Sequence, residues 1–271
     1  MAVSETTSFA WQPLTPRGVA AFARAAVGRL WLVQLLVAFL GAASVVWLMF
    51  DGWFPVVSEA IEHVPADGAI RGGQLDWRGD GPQLLAEGRL LAISVDTDHT
   101  GNIRSPAHVQ IELGKGDARI HSLLGYTTVT YPAEWEIACN RAELQPWWGA
   151  WSLALLAVTG LAVAAGLLVL WSILAALYAL PVWLLAFFAN RELDARGCFC
   201  LAGAALMPGA LLMAAGILCY DFGVLDPVGL GFVLGAHFAV GWAYLLAAPF
   251  ALPRTEAAAR RKNPFATGGA P

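Results

Sequence analysis

LQPWWGAWSLALLAVTGLAVAAGLLVLWSILAALYALPVWLLAFFAN, residues 144–190, is a run of 47 positions without a single charged side chain. A helix rises about 1.5 Å per residue and the hydrocarbon core of a bilayer is about 30 Å thick, so one membrane span takes roughly 20 residues. The run is too long for one straight span and barely long enough for two. Two spans need a turn near residues 170–173, yet Leu167 to Leu174 (LLVLWSIL) carries no turn chemistry. The remaining punctuation is Pro181, which removes a backbone donor and should kink or end a helix. The run therefore predicts one span over about 151–179, then a short interfacial segment with Trp183, Phe187 and Phe188. Trp147, Trp148 and Trp151 suit the headgroup belt, where amphipathic rings collect.

The rest of the chain is consistent with this. Its 271 residues are 58% hydrophobic and 13% charged, against roughly 45–50% and about 25% in an ordinary soluble domain. So much apolar side chain needs a second solvent, and the lipid bilayer is the first partner expected. Residues 30–50 form another span with only Gln34 and Ser44 as clearly polar members, and two more are expected at about 198–220 and 231–251. Gly41-Ala42-Ala43-Ser44 resembles a signal-peptide cleavage site, but apolar character resumes through Val45 to Phe50, so an anchor is expected. Ahead of it, residues 1–29 form a leader. Thr15-Pro16 marks a helix start, and Val19, Phe22, Ala23, Ala26 and Val27 give one apolar face, either of an interfacial helix or of an extension of the first span.

Basic residues set the orientation. Arg17, Arg24 and Arg29 precede the first span, Arg191 and Arg196 lie in the 191–197 loop, and Arg254, Arg260, Arg261 and Lys262 mark the tail at 254–271. With four spans all of these share one side, while the 221–230 loop has Asp221 and Asp226 but no Lys or Arg. The positive-inside rule then places both termini in the cytoplasm of a bacterial inner membrane, with residues 51–147 extracytoplasmic.

Residues 51–147 have a different texture. Fourteen acidic residues, seven basic residues and four of the five histidines fall here, and the length allows a small, marginal core. Pro55 to Pro65 reads as a short helix. Ala69 to Trp77 reads as a strand broken at Gly72-Gly73, and Leu90 to Val95 as a strand ending in the turn-rich Asp96-Thr97-Asp98-His99-Thr100-Gly101. His108–Glu112 and Ala118–Ser122 alternate around Gly114-Lys115-Gly116 as a hairpin, and Tyr126–Tyr131 is a last β-rich run. The expected fold class is an α-helical integral membrane protein of about four spans, with a small α+β domain inserted after the first and the remaining spans within 148–253.

The succession of a helix, AIRGGQLDW and LLAISVDTDHTG between a first span and a later cluster of spans resembles an uncharacterised bacterial multi-pass membrane protein family. Some of its members are called maltodextrin-utilisation membrane proteins. The residues matching its Ile-x-x-Gly-x-Leu element and Asp-Thr strand end are Ile70, Gly73, Leu75, Asp96 and Thr97. The resemblance covers the topology of the whole chain through short motifs, and implies neither an activity nor a catalytic residue.

Three constellations remain. Asp96, Asp98 and His99 are the densest set of ligand-type side chains, suited to a divalent cation or a hydrolytic site; the plainer reading is a turn whose side chains satisfy loop amides. His237 is an ionisable residue inside a span, without an Asp, Glu, Lys or Arg in any span to pass it a proton. Gly231 and Gly235 give the fourth span a small-residue face for helix packing, and Pro208 marks a kink in the third. Cys198, Cys200 and Cys219 read as small hydrophobes and Cys139 stands alone in the polar segment, without a disulfide framework or a metal set. Walker, dinucleotide, nucleophile-elbow and zincin motifs are missing, and no basic patch points to nucleic acid. No cofactor is expected. The expected function is that of a non-enzymatic envelope or transporter-accessory protein whose outer domain binds a partner or ligand, with a partner protein or homo-oligomer held through the membrane helices. A small-molecule permease component is the alternative, followed by an extracytoplasmic metal-dependent hydrolase.

Overall fold

The computed structural model describes residues 11–255; Arg260, Arg261 and Lys262 of the basic tail lie outside them. The helices are α1 (Pro16–Ala21), α2 (Val27–Leu48), α3 (Phe54–His63), α4 (Arg141–Phe188), α5 (Ala195–Ala205), α6 (Met207–Asp221) and α7 (Pro227–Ala247). Among the described residues, four helical stretches are long and apolar enough to cross a membrane: Val27–His63, Arg141–Phe188, Ala195–Asp221 and Pro227–Ala251. Contacts divide the chain into two compact units. One comprises residues up to Ala43, Leu161–Gly216 and those from Gly229 on; the other comprises Ser44–Gly160 and Ile217–Val228.

In α4 the 144–190 run is a single unbroken helix that starts earlier and ends later than expected. The Asn140 side chain accepts from the amide of Glu143 at 3.0 Å, which caps the first turn and begins the helix before the apolar run. At the other end the helix continues through Pro181 to Phe188 rather than ending at the proline. Trp147 and Trp151 are exposed.

The first unit packs around Phe22, Leu30, Leu201, Met207 and Leu245, all essentially inaccessible. Thr15 caps α1 by accepting from Gly18 at 3.0 Å, with Pro16 at the first helical position. The expected continuous helix over 19–27 does not form. Val19 and Phe22 are drawn fully into this core, and the chain turns through Phe22–Arg24 and an extended Ala25 before α2 begins. Eight of the eleven residues of α5 are buried, Cys198 and Cys200 among them as small hydrophobes. The third apolar stretch breaks at Leu206, and Pro208 falls in the first turn of α6, where its missing N–H costs nothing. The irregularity expected at Pro208 is thus the one-residue interruption at Leu206 just before it, within an apolar stretch that runs from Ala195 to Asp221. Close approach between α6 and α7 runs through Gly209 and Gly216: a Cβ on Gly209 would lie 2.4 Å from the His237 carbonyl, and one on Gly216 would lie 2.5 Å from Val233. Gly231 and Gly235 face open space, so the small-residue face that brings these helices together is on the third stretch, not the fourth.

In the second unit α2 passes through a π-helical turn, Met49–Trp53, into α3, the short helix expected between Pro55 and Pro65, with Pro55 in its first turn. Val56 and Ala60 of α3, with Val64 just beyond it, pack on Leu75, Leu85, Leu91 and Val95. A three-stranded sheet is ordered β2-β1-β8, from β1 (Gly68–Arg71), β2 (Gln74–Trp77) and β8 (Ile137–Ala138); a five-stranded sheet is ordered β3-β4-β5-β6-β7, from β3 (Gln83–Glu87), β4 (Leu91–Val95), β5 (Val109–Leu113), β6 (Asp117–Ser122) and β7 (Gly125–Thr130). Gly72-Gly73, with φ of 55° and 74°, closes the β1–β2 hairpin, because a two-residue turn of this hand needs positive φ at both positions. Strands β4 and β5 are parallel, which requires a crossover; residues 96–108 supply it. They cover the second face of the sheet, where Gln110 donates to Ser94 (2.9 Å) and to the Ile103 carbonyl (3.2 Å). Strands β3 and β8 had no counterpart in the sequence reading.

Candidate functional site

Asp96, Asp98 and His99 occupy the start of that crossover and do not converge. Asp96 is fully buried, and one carboxylate oxygen accepts from Thr100 Oγ1 at 2.8 Å and from the Gly101 amide at 3.0 Å. Burial pushes its carboxyl up, but the bonds from Thr100 and Gly101 outweigh this and hold it below the usual carboxylate value. Asp98 is exposed. His99 turns the other way, held by a left-handed backbone with φ of 52°, a conformation uncommon outside glycine.

The His99 ring sits between two carboxylates. Its Nδ1 lies 2.6 Å from Glu112 Oε1 on β5 and its Nε2 lies 2.5 Å from Asp117 Oδ1 on β6. A neutral imidazole has only one N–H to give, so two carboxylate acceptors call for the imidazolium. Burial alone would lower the His99 pKa; the bonds to Glu112 and Asp117 overcome that and the nearby Arg119 charge, raising it above its ordinary value. Glu112 is only 2% exposed, with His121 Nε2 3.8 Å from its other oxygen. Room for the ring comes from Gly114, where a Cβ would lie 2.1 Å from His99 Nε2. This clamp pins the crossover to β5 and β6. With both ring nitrogens engaged, His99 has no lone pair for a metal, and no group of three or more His, Cys, Asp or Glu among the described residues is arranged to hold one. His237 Nδ1 donates to the Leu234 carbonyl one turn back, 2.5 Å away, so it bonds its own helix.

A second constellation has no counterpart in the sequence reading. Arg89, between β3 and β4, donates to the carbonyls of Tyr220 (2.8 Å) and Asp221, the last residues of α6. The final carbonyls of a helix lack intrahelical partners and carry its negative dipole end, so a guanidinium caps them well. Gly223, with φ of 73°, completes the cap as the amides of Gly223 and Val224 turn back to Tyr220 and Cys219. His108, just before β5, places Nδ1 2.7 Å from Tyr220 Oη. Burial lowers its pKa, with Arg89 adding to the effect, so the imidazole is neutral at pH 7. The π-helical turn closes the group: a Cβ on Gly52 would lie 2.4 Å from Leu90 and 3.5 Å from the buried Asp221 carboxylate. Here β-domain side chains grip the end of an apolar helix. Only a positive residue before an apolar strand and an aromatic–acid pair at a span end hint at it in the sequence. No family model, curated protein or solved structure matches the chain.

Proposed function

We propose that this chain is a multi-pass protein of a bacterial inner membrane, with both termini cytoplasmic and residues 51–147 folded outside, and that it works without catalysis as an envelope or transporter-accessory protein whose outer domain binds a partner or ligand. The resemblance to the maltodextrin-utilisation membrane proteins fits this proposal. The observation that carries it is the clasp of Arg89 and His108 on Tyr220 and Asp221. Through it, a load on the β-domain reaches the end of an apolar helix directly, the property a sensing or accessory domain needs. At about 1.5 Å per residue, α4 is about 72 Å long, enough to cross the bilayer and continue beyond it into the outer domain. Purification of the tagged protein from native membranes in mild detergent tests the reading. A stoichiometric transporter or envelope component that is lost in Arg89→Ala supports it, and a protein recovered with nothing bound opposes it. Topology is tested by Gly72→Cys, which should react with an impermeant maleimide from the outer side only.

A permease is the second reading, favoured by the break at Leu206 within the third apolar stretch, since discontinuous helices line many transport sites. Solute flux in reconstituted vesicles tests it.

A further inference from the structure

The two edges of the five-stranded sheet are built differently. Strand β3 carries a register shift between Leu84 and Ala86 and ends at Glu87, and a bulge and a charge are two of the devices that keep an edge from pairing. Strand β7, Gly125-Tyr126-Thr127-Thr128-Val129-Thr130, has neither. It is uncharged, has no proline, pairs with β6 through six consecutive positions without irregularity, and is exposed at every residue. Tyr126 is 65% exposed and Val129 50%, and the adjoining turn adds Leu123 at 66% and Leu124 at 97%.

The backbone fixes which groups are free to pair. Tyr131 N–H bonds inward to Gly116. In an antiparallel ladder inward and outward residues alternate, so Tyr126, Thr128 and Thr130 turn their N–H and C=O groups outward. We propose that this edge pairs antiparallel with β7 of a second copy of the chain about a two-fold axis at Thr128, joining two five-stranded sheets. Thr128 then exchanges bonds with its own counterpart and Tyr126 with Thr130, giving about six main-chain hydrogen bonds.

Three features favour a second copy over another occupant. An uncharged strand meets its own image without like charges opposed. A two-fold axis perpendicular to the sheet keeps each face with its like, so Thr127 lies opposite Val129 and Tyr126 opposite Thr130, pairs of β-formers that suit one another. The nearest like charges on that row, the two Arg119 side chains, stand three strand spacings apart, about 14 Å, beyond the Debye length of about 8 Å at physiological salt. The proposal deepens the partner-binding reading of the outer domain and rests on it.

The test uses the full-length protein in its own membranes. Across a bonded antiparallel pair the Cα atoms are about 5.5 Å apart, within disulfide reach. Thr128→Cys should therefore give a covalent dimer under mild oxidation. Gly72→Cys, on the β1–β2 turn, and the parent chain with its four native cysteines should give at least tenfold less. Adding Thr130→Pro removes an outward N–H and leaves the β6 ladder whole, and should lower the Thr128→Cys dimer at least tenfold with unchanged protease resistance. Equal cross-linking from Gly72→Cys, indifference to Thr130→Pro, or a monomer mass for the wild-type protein in detergent overturns the proposal. A monomer that still co-purifies with another protein overturns only the self-pairing; a monomer with no partner overturns the partner-binding reading as well.

Discussion

Replacing His99 with alanine removes the cation that stands 2.6 Å from Glu112 and leaves a 2% exposed carboxylate with His121 at 3.8 Å. Breaking a buried ion pair by deleting one partner costs about 3–5 kcal/mol. The His99 side chain is 13% exposed and Asp117 20%, so water reaches part of the vacated space, and the lower figure, about 3 kcal/mol, applies. That is roughly a 100-fold rise in the open population. Hydrogen exchange of the β5 and β6 amides in lipid nanodiscs reads it directly, because those amides exchange through opening of this sheet. Exchange at Ile111–Leu113 and Ala118–Ile120 should accelerate about 100-fold. Adding Glu112→Leu should recover most of the loss, since the cost is the unpaired buried charge rather than the lost contact. An acceleration under about threefold, or a double variant no better than the single one, would refute the clamp.

Other outcomes follow from the same geometry. Because the folded His99 pKa is raised, its stabilisation is complete below about 6.5 and is lost as pH rises through the folded value; β5–β6 protection corrected for intrinsic exchange should fall as pH rises above about 6.5 in the wild type and stay flat in His99→Gln. Asp96 acts in the opposite sense, contributing above about 3.8 and losing its effect as pH falls through its lower folded value. Gly209→Val puts atoms where the His237 carbonyl stands and should lower the thermal midpoint in detergent by several degrees, with Gly231→Ala and Gly235→Ala close to neutral; equal effects at all three positions would count against the α6–α7 contact. Arg89→Ala should cost about 1 kcal/mol, discounted because Arg89 is exposed, and should speed exchange at the last turn of α6 without touching β5–β6.

The four apolar stretches were legible from residue order alone because a span is a one-dimensional property: about 20 uncharged residues suffice to recognise it, wherever their neighbours go. The Thr15-Pro16 cap and the Gly72-Gly73 turn were legible for the same reason, each set by residues within three positions of one another. Helix limits were not. Asn140 capped α4 ahead of its apolar run and Pro181 failed to end it, because each outcome depends on what satisfies the backbone nearby rather than on the residue itself. The clamp and the clasp were further out of reach. His99 meets residues 13 and 18 positions away, and Arg89 meets residues 131 and 132 positions away. Composition and local periodicity thus determined the four long apolar helices and the existence of a separate α+β segment between the first two of them. Which charges neutralise one another, which glycines admit a neighbouring helix and which sheet edge stays bare were decided only by tertiary folding, since those properties belong to pairs of residues that the sequence does not place side by side.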